Sequence, residues 1–215
     1  MKQRTVQFCE DFFRRQPQLT CLHSAVGQAI LLLTHTFSAG GKLLLCGNGG
    51  SCADCDHIAG ELLKGFLMKR PVPPEFAEKM QRDFQEEGAR IAERLQCGLP
   101  AISLCSHAAA ISAYANDVDA ELVYAQQVLA YGQKGDIMIG ISTSGNARNV
   151  AAAAQTARAL GISVIALTGR DGGRLACLAD LALIAPEQET YRIQEYHLAL
   201  YHLLCGAVES ELFER

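Results

Sequence analysis

The 215-residue sequence is short of several features that assign a role quickly. Its net charge is −4 and no basic stripe interrupts it, which argues against a nucleic-acid partner. Apolar runs such as Ala29–Leu33 are far too short to span a membrane, so no membrane partner is expected. The opening residues Met-Lys-Gln-Arg-Thr lead into charged positions rather than an apolar signal core, which predicts no signal peptide. There is no G-x-x-x-x-G-K-[ST] and no G-x-G-x-x-G in the first glycine turn, so no nucleotide cofactor is expected. Heptads, low-complexity tracts and long linkers are missing too. The length then predicts a single domain over residues 1–215, with an N-terminal helical arm over 1–38.

What is present reads as globular, with 49% apolar and 20% charged residues. The nine cysteines are odd in number, and Cys46, Cys105 and Cys205 sit inside apolar runs. A thiol there behaves as a small hydrophobe, so no disulfide framework is expected and the chain is assigned to the reducing cytoplasm. Cys52-Ala-Asp-Cys55 has C-x-x-C spacing at the start of a helical pattern, where a thiol pKa falls. No second C-x-x-C follows, and packing of small residues near a tight loop is its ordinary reading.

Residues 3–15 and about 19–37 carry apolar positions at helical spacing, and Ser38-Ala-Gly-Gly41 closes the second helix. Strands are predicted at 42–46, 101–105, 136–141, 163–167 and 181–184. Helices are predicted between them at about 52–67, 107–114, 122–131, 147–160 and 174–178, and a long one over 190–213. Apolar strands alternating with helices imply a parallel sheet covered on both faces. The segment 70–98 departs from this rhythm. After Arg70-Pro-Val-Pro-Pro74 it is strongly charged, with a thin stripe of Phe76, Met80, Phe84, Ile91 and Leu95. One peripheral amphipathic helix, serving as a lid or an oligomer contact, is expected there.

Two strand-to-helix turns pair hydroxyls with glycine. Gly47-Asn48-Gly49-Gly50-Ser51 follows the first strand, and Ser142-Thr143-Ser144-Gly145 follows the third. Glycine lets the backbone approach a ligand closely, and the helix that follows presents free N–H groups and a positive dipole end. Ligands of open parallel sheets bind at the carboxyl ends of strands, so both turns belong to one crevice. Helix capping accounts for either turn alone; a phosphate cradle accounts for the pair. His57 and Glu61 stand four apart on the helix after the first turn, one above the other on a face leading into the crevice. A solvated surface pair is the plain alternative. His197 and His202 lie on a stripe with Leu198, Tyr201, Leu204 and Cys205, where a histidine is more often packed than functional; His197 has the weaker claim to the site.

Together with Asn116-Asp117, Leu167-Thr-Gly-x-Asp-Gly-Gly173 and Arg192-Ile-Gln-Glu-x-His197, these motifs resemble the sugar isomerase (SIS) domain over nearly the whole chain. Within it they look like the phosphoheptose isomerase branch. The resemblance implies a flavodoxin-like α/β sandwich on a five-stranded parallel sheet, and a homotetramer with active sites between subunits. It also implies a sugar phosphate substrate such as sedoheptulose 7-phosphate. Carried over by position, it implies Asn48, Gly49, Gly50, Ser51, Ser142, Thr143 and Ser144 for the substrate and phosphate loops. Asn116, Asp117 and Gln194 are implied as substrate contacts, and Glu61 and His202 as catalytic residues. A zinc ion held by His57, Glu61, Gln194 and His202 is implied by some members. The sequence departs from the pattern at Ala147, where a serine is usual, at Cys52, where a histidine is expected, and in the 70–98 insertion.

The chemistry implied is aldose–ketose isomerisation through a cis-enediol, with Glu61 as base, its pKa raised by partial burial, and His202 as acid–base partner. A zinc ion would stabilise the enediolate charge. A non-catalytic SIS module binding a sugar phosphate or a protein partner, and an isomerase of another phosphosugar, are the alternatives.

Overall fold

The computed structural model of the protein describes residues 1–213, so the last two residues of the predicted 1–215 domain lie outside it. Five strands form one parallel sheet: β1 (Leu43–Gly47), β2 (Ala101–Ser103), β3 (Ile137–Ser142), β4 (Ser163–Gly169) and β5 (Leu181–Ala185). Their order is β2-β1-β3-β4-β5. Every residue of β1 and β3 is buried, as a strand covered on both faces must be. Side chains alternate between two cores. Leu43 and Leu45 face one that also holds Phe12, Ile30, Ile58 and Leu204. Leu44 and Cys46 face the other, with Val128, Val150 and Leu175. The first core lies under α1 (Gln3–Arg15), α2 (His23–Ser38), α3 (Gly50–Leu63) and the long carboxyl-terminal helix. Among the described residues no helix is long and apolar enough to cross a membrane.

The strand order reverses between β1 and β3, and this is where an open α/β sheet has its crevice. Gly47 pairs in register with Ile141, so the loop after β1 and the loop after β3 leave the sheet side by side.

The elements between strands follow the predicted pattern with four differences. Residues Pro17–Leu22 form a 3₁₀ turn ahead of α2, started by Pro17. The helix α3 stops at Leu63 rather than running to 67, because the amides of Phe66 and Leu67 donate to the Glu209 carboxylate at 2.8 and 2.7 Å. The segment Pro74–Arg94 (α4) is not one helix: Gln85 sits at φ 52°, ψ −133°, and the chain folds back there. A Cβ on Gly88 would run into the Met80 carbonyl, so the two legs pack backbone to backbone. The expected apolar stripe is therefore not a buried one, and Phe76 and Phe84 stay exposed while Gly88 and Ala92 are buried. After α5 (Ala108–Tyr114), Asn116 and Asp117 lie on a π-helical turn, and the cap in this region is Asp119, whose carboxylate accepts from Glu121 N at 2.7 Å. The remaining helices are α6 (Val123–Tyr131), α7 (Arg148–Ala159), α8 (Gly173–Leu178) and α9 (Thr190–Phe213).

Candidate active site

The loop after β1 needs its glycines. A Cβ on Gly47 would come within 2.7 Å of the Ser51 carbonyl oxygen, Gly49 adopts φ 55°, and a Cβ on Gly50 would occupy the place of the Gln194 amide. Ser51 is buried in the first turn of α3. In the second loop Ser142 is buried and Thr143 and Ser144 are half-buried. Gly145 there takes φ 67° against the Gly172 carbonyl. Asn48 of the first loop and Asn149 of α7 exchange two amide hydrogen bonds of 2.9 Å each. The two turns are thus joined into one rim. Ala147 occupies the N-cap of α7 and supplies no side-chain cap; Val150 N donates to Asn149 Oδ1 at 2.9 Å, which leaves the amides of Arg148 and Asn149 as the uncapped ones.

The helices α3 and α9 lie against each other and advance together. Gln194 meets Gly50 at one end, and Tyr201 and His202 meet His57 further along. His57 Nε2 stands 3.3 Å from Glu61 Oε1 and 3.4 Å from His202 Nε2. Its Nδ1 is 2.9 Å from the Tyr201 hydroxyl, which also donates to Asp54 Oδ1 at 3.3 Å. The Tyr201 hydroxyl and Asp54 orient the His57 ring from its Nδ1 side, and its Nε2 faces Glu61 and His202. His202 stacks on Phe66 with ring centroids 5.5 Å apart.

The electrostatics differ from expectation at Glu61. Its carboxyl is lowered from the usual value, first by a hydrogen bond from Lys64, whose Nζ is 2.8 Å from Oε2, and then by the Lys64 and His57 charges. Burial opposes this and loses, so the raised pKa expected of a cleft carboxylate is corrected: Glu61 is ionised and paired. His202 is lowered by desolvation first and by the His57 charge second, which keeps its ring neutral near pH 7. Burial raises Asp54, against the Tyr201 hydrogen bond, and among the described residues one of its oxygens is buried with no partner.

The structure therefore brings together His57, Glu61 and His202, and separately the loops Asn48–Ser51 and Ser142–Ser144. Gln194 rests on Gly50, seven residues or ~10 Å along α3 from His57. Asn116 and Asp117 are exposed and bond each other at 2.8 Å; among the described residues neither side chain bonds to the loops. His197 is core: it is fully buried, and its Nε2 donates to Thr168 O at 2.9 Å. Sequence reasoning missed Tyr201, Asp54 and Asn149. Asp54 is three residues before His57 on the same helical face, a spacing that could have found it. Tyr201 reads as one more apolar position in the α9 stripe.

As metal donors the residues present fit zinc by chemistry and by edge length. Ligands about 2.0–2.1 Å from a tetrahedral centre lie ~3.4 Å from one another, and the His57–His202 and His57–Glu61 separations are 3.4 and 3.3 Å. The set is not preassembled, because Lys64 holds the second Glu61 oxygen; among the described residues no three His, Cys, Asp or Glu side chains stand ready around one point.

Comparison with known proteins agrees with this architecture. A family model described as the SIS domain matches residues 7–97 and 79–169. The phosphoheptose isomerase of Helicobacter pylori (strain P12) is 40% identical over 191 residues, covering 89% of this chain and 86% of the relative. The solved phosphoheptose isomerase of Neisseria gonorrhoeae superposes with a TM-score of 0.74 at 34% identity, over 96% of this chain and 97% of that one. The solved phosphoheptose isomerase of Francisella tularensis gives a TM-score of 0.73 at 28% identity, over 98% and 100%. The chain belongs to the SIS-domain family, within its phosphoheptose isomerase branch.

Proposed function

We propose that the chain is a phosphosugar aldose–ketose isomerase that converts sedoheptulose 7-phosphate to D-glycero-D-manno-heptose 7-phosphate through an enediol. One observation carries this reading: Glu61, His57 and His202 converge on the same two helices whose other end forms the phosphate-type loop. The hydroxyls of Ser51, Ser142, Thr143 and Ser144, with the amides at the starts of α3 and α7, suit a dianionic phosphate monoester. Asn48, Gly49, Gly50, Gln194, Asn116 and Asp117 supply the sugar contacts.

At the reacting end Glu61 takes the proton on carbon 1 and returns it to carbon 2. A carboxylate held low by Lys64 is a weak base, so the Lys64 contact must loosen as substrate enters, and desolvation then raises its basicity. Neutral His202 exchanges protons between the two substrate oxygens. His57, oriented by Tyr201, faces the charge that develops between them. His57, Glu61 and His202 would hold the zinc ion, while Gln194, resting on Gly50, lies outside that set within one chain; the ion would supply Lewis-acid chemistry to the substrate oxygens. The active assembly is a homotetramer in the cytoplasm, with sites completed by neighbouring copies.

The test is a panel of phosphosugars with products read by NMR. Sedoheptulose 7-phosphate is turned over by the wild type, and Glu61→Gln lowers the rate by roughly 10²–10⁴-fold, the usual worth of a general base. Binding without turnover across the whole panel would sink the enzyme in favour of a sugar phosphate sensor. Metal analysis of protein purified without chelator decides on zinc: stoichiometric metal that falls in His57→Ala supports it, and metal-free protein with full turnover removes it.

A further inference from the structure

Asn149 takes no part in the chemistry proposed above, yet it holds the one side chain of the first loop. Between Gly47 and Ser51 that side chain is Asn48, because Gly49 and Gly50 carry none. Three glycines in four residues leave a backbone free to take many shapes. Gly49 stands at φ 55° with open space where a Cβ would go. At the base of the loop the Tyr124 hydroxyl donates to Gly47 O at 2.6 Å, and Ser51 N donates to Asn48 O at 3.0 Å. The Asn48 side chain is exposed. Among the described residues it reaches the Tyr124 hydroxyl at 3.5 Å and, more closely, Asn149 of α7.

Asn48 Nδ2 donates to Asn149 Oδ1, and Asn149 Nδ2 donates back to Asn48 Oδ1, each at 2.9 Å. Val150 N donates to the same Asn149 Oδ1 at 2.9 Å. That third bond settles which end of the Asn149 carboxamide accepts, so its other end must be a donor, and Asn48 Oδ1 receives it. Asn149 is thus fixed from its own helix and fixes Asn48 in turn. Because α7 begins just after the loop Ser142–Gly145, the pair sets the first loop against the second.

We propose that Asn149 is a positioning residue for the sugar phosphate: through Asn48 it holds Gly47–Ser51 at the separation from Ser142–Ser144 at which one phosphate monoester meets both loops. This role rests on the sugar phosphate reading of the site; the hold on the loop does not. A loop already in its bound shape loses less conformational freedom when the ligand arrives, and the difference appears as affinity. Two neutral hydrogen bonds put it at roughly 10–100-fold. Asn149 itself touches no substrate. Turnover of bound substrate stays with Glu61, His57 and His202, further along α3 and α9.

The experiment compares the full-chain wild type with Asn149→Ser and Asn149→Asp by calorimetric titration with sedoheptulose 7-phosphate, steady-state kinetics and amide hydrogen exchange. Serine is neutral and too short to reach Asn48. Aspartate keeps an acceptor for Val150 N, at a helix start where negative charge is favoured, but has no proton for Asn48 Oδ1. Asn149→Asp should therefore melt no lower than the wild type. Both variants should bind roughly 10–100-fold more weakly, raise KM in step and change kcat little. In Asn48→Ser protein the further change Asn149→Ser should add almost nothing, because the two side chains act as one unit. Loss confined to Asn149→Asp would mean charge repulsion of the phosphate, and full additivity would mean that Asn149 acts without Asn48. Either result overturns the proposal, as does unchanged affinity in both variants. Exchange of residues 47–52 in the free chain, faster in Asn149→Ser, reads the hold on the loop without a ligand, and unchanged exchange also overturns it. A wild type that binds no sugar phosphate fails the functional reading and the phosphate role with it, while the exchange still decides the hold on the loop.

Discussion

At the scale of single residues, histidine separates into two kinds in this chain, and pH exposes the difference. His197 is sealed in the core against Thr168, and burial pushes its pKa down to about 4. Among the described residues its Nδ1 has no partner. An unfolded chain binds a proton there near pH 6.5 and the native one does not, so ν_U exceeds ν_N between the two values and stability rises with pH across that window. The contribution is complete above pH 6.5 and is lost as pH falls towards 4; the shift corresponds to roughly 3 kcal/mol. Urea unfolding at fixed protein concentration from pH 8 to pH 4 is the measurement. His197→Gln should be less stable at pH 8 yet flatter in its acid slope, and an unchanged slope would remove His197 as the cause. Sequence alone could not sort His197 from His202. Both occupy one stripe of one helix, and only packing against β4 on one side and α3 on the other distinguishes them.

At the scale of elements, the turn that ends α3 is set from the far end of the chain. Glu209 accepts from Phe66 N, Leu67 N and Arg70 Nε at 2.8, 2.7 and 2.6 Å, and both charged side chains are wholly buried. Arg70 also donates to Leu62 O at 2.8 Å and lies 4.8 Å from the Phe213 ring centroid. The arrangement aims Phe66 at His202, so it serves the site as well as the fold. Glu209→Leu leaves a buried cation and two amides without their acceptor and should cost about 3–5 kcal/mol. Arg70→Met leaves a carboxylate still held by two amides and should cost less. Chemical denaturation of both variants checks the order, and equal losses would mean that the ion pair rather than the amides governs this turn. This explains why helix 52–67 was over-read: the helical pattern continues to Leu67, and the carboxylate that stops it lies more than 140 residues later. The break at Gln85 was hidden for a similar reason, since glutamine at positive φ has no sequence signature and the fold-back is fixed by Gly88 against Met80.

At the scale of the whole molecule, the sheet was legible because its strands are short apolar runs, two of them ending in turns that pair glycine with serine, and a buried parallel strand needs little more. The two loops were legible for the same reason. On the proposed reading, the complete site is one that a single chain does not assemble. His202 sits in a groove lined by Phe8, Phe12, Phe66, Leu67 and Leu203, and Leu67 and Leu198 stay 58% and 41% exposed beside it. Asn116 and Asp117 remain apart on their exposed turn. Apolar surface around a polar site is what a neighbouring subunit covers, and a partner placed there would also exclude water from Glu61 and His202, strengthening their electrostatics. The proposed homotetramer predicts a light-scattering mass near four times the 23.2 kDa of the chain. Leu67→Asp should split the assembly and lower kcat with it, although residue 67 carries no chemistry, and dilution of the wild type should reduce specific activity in step with dissociation. A monomer that turns over at the full rate would sink the shared site and leave Glu61, His57 and His202 to work within one chain.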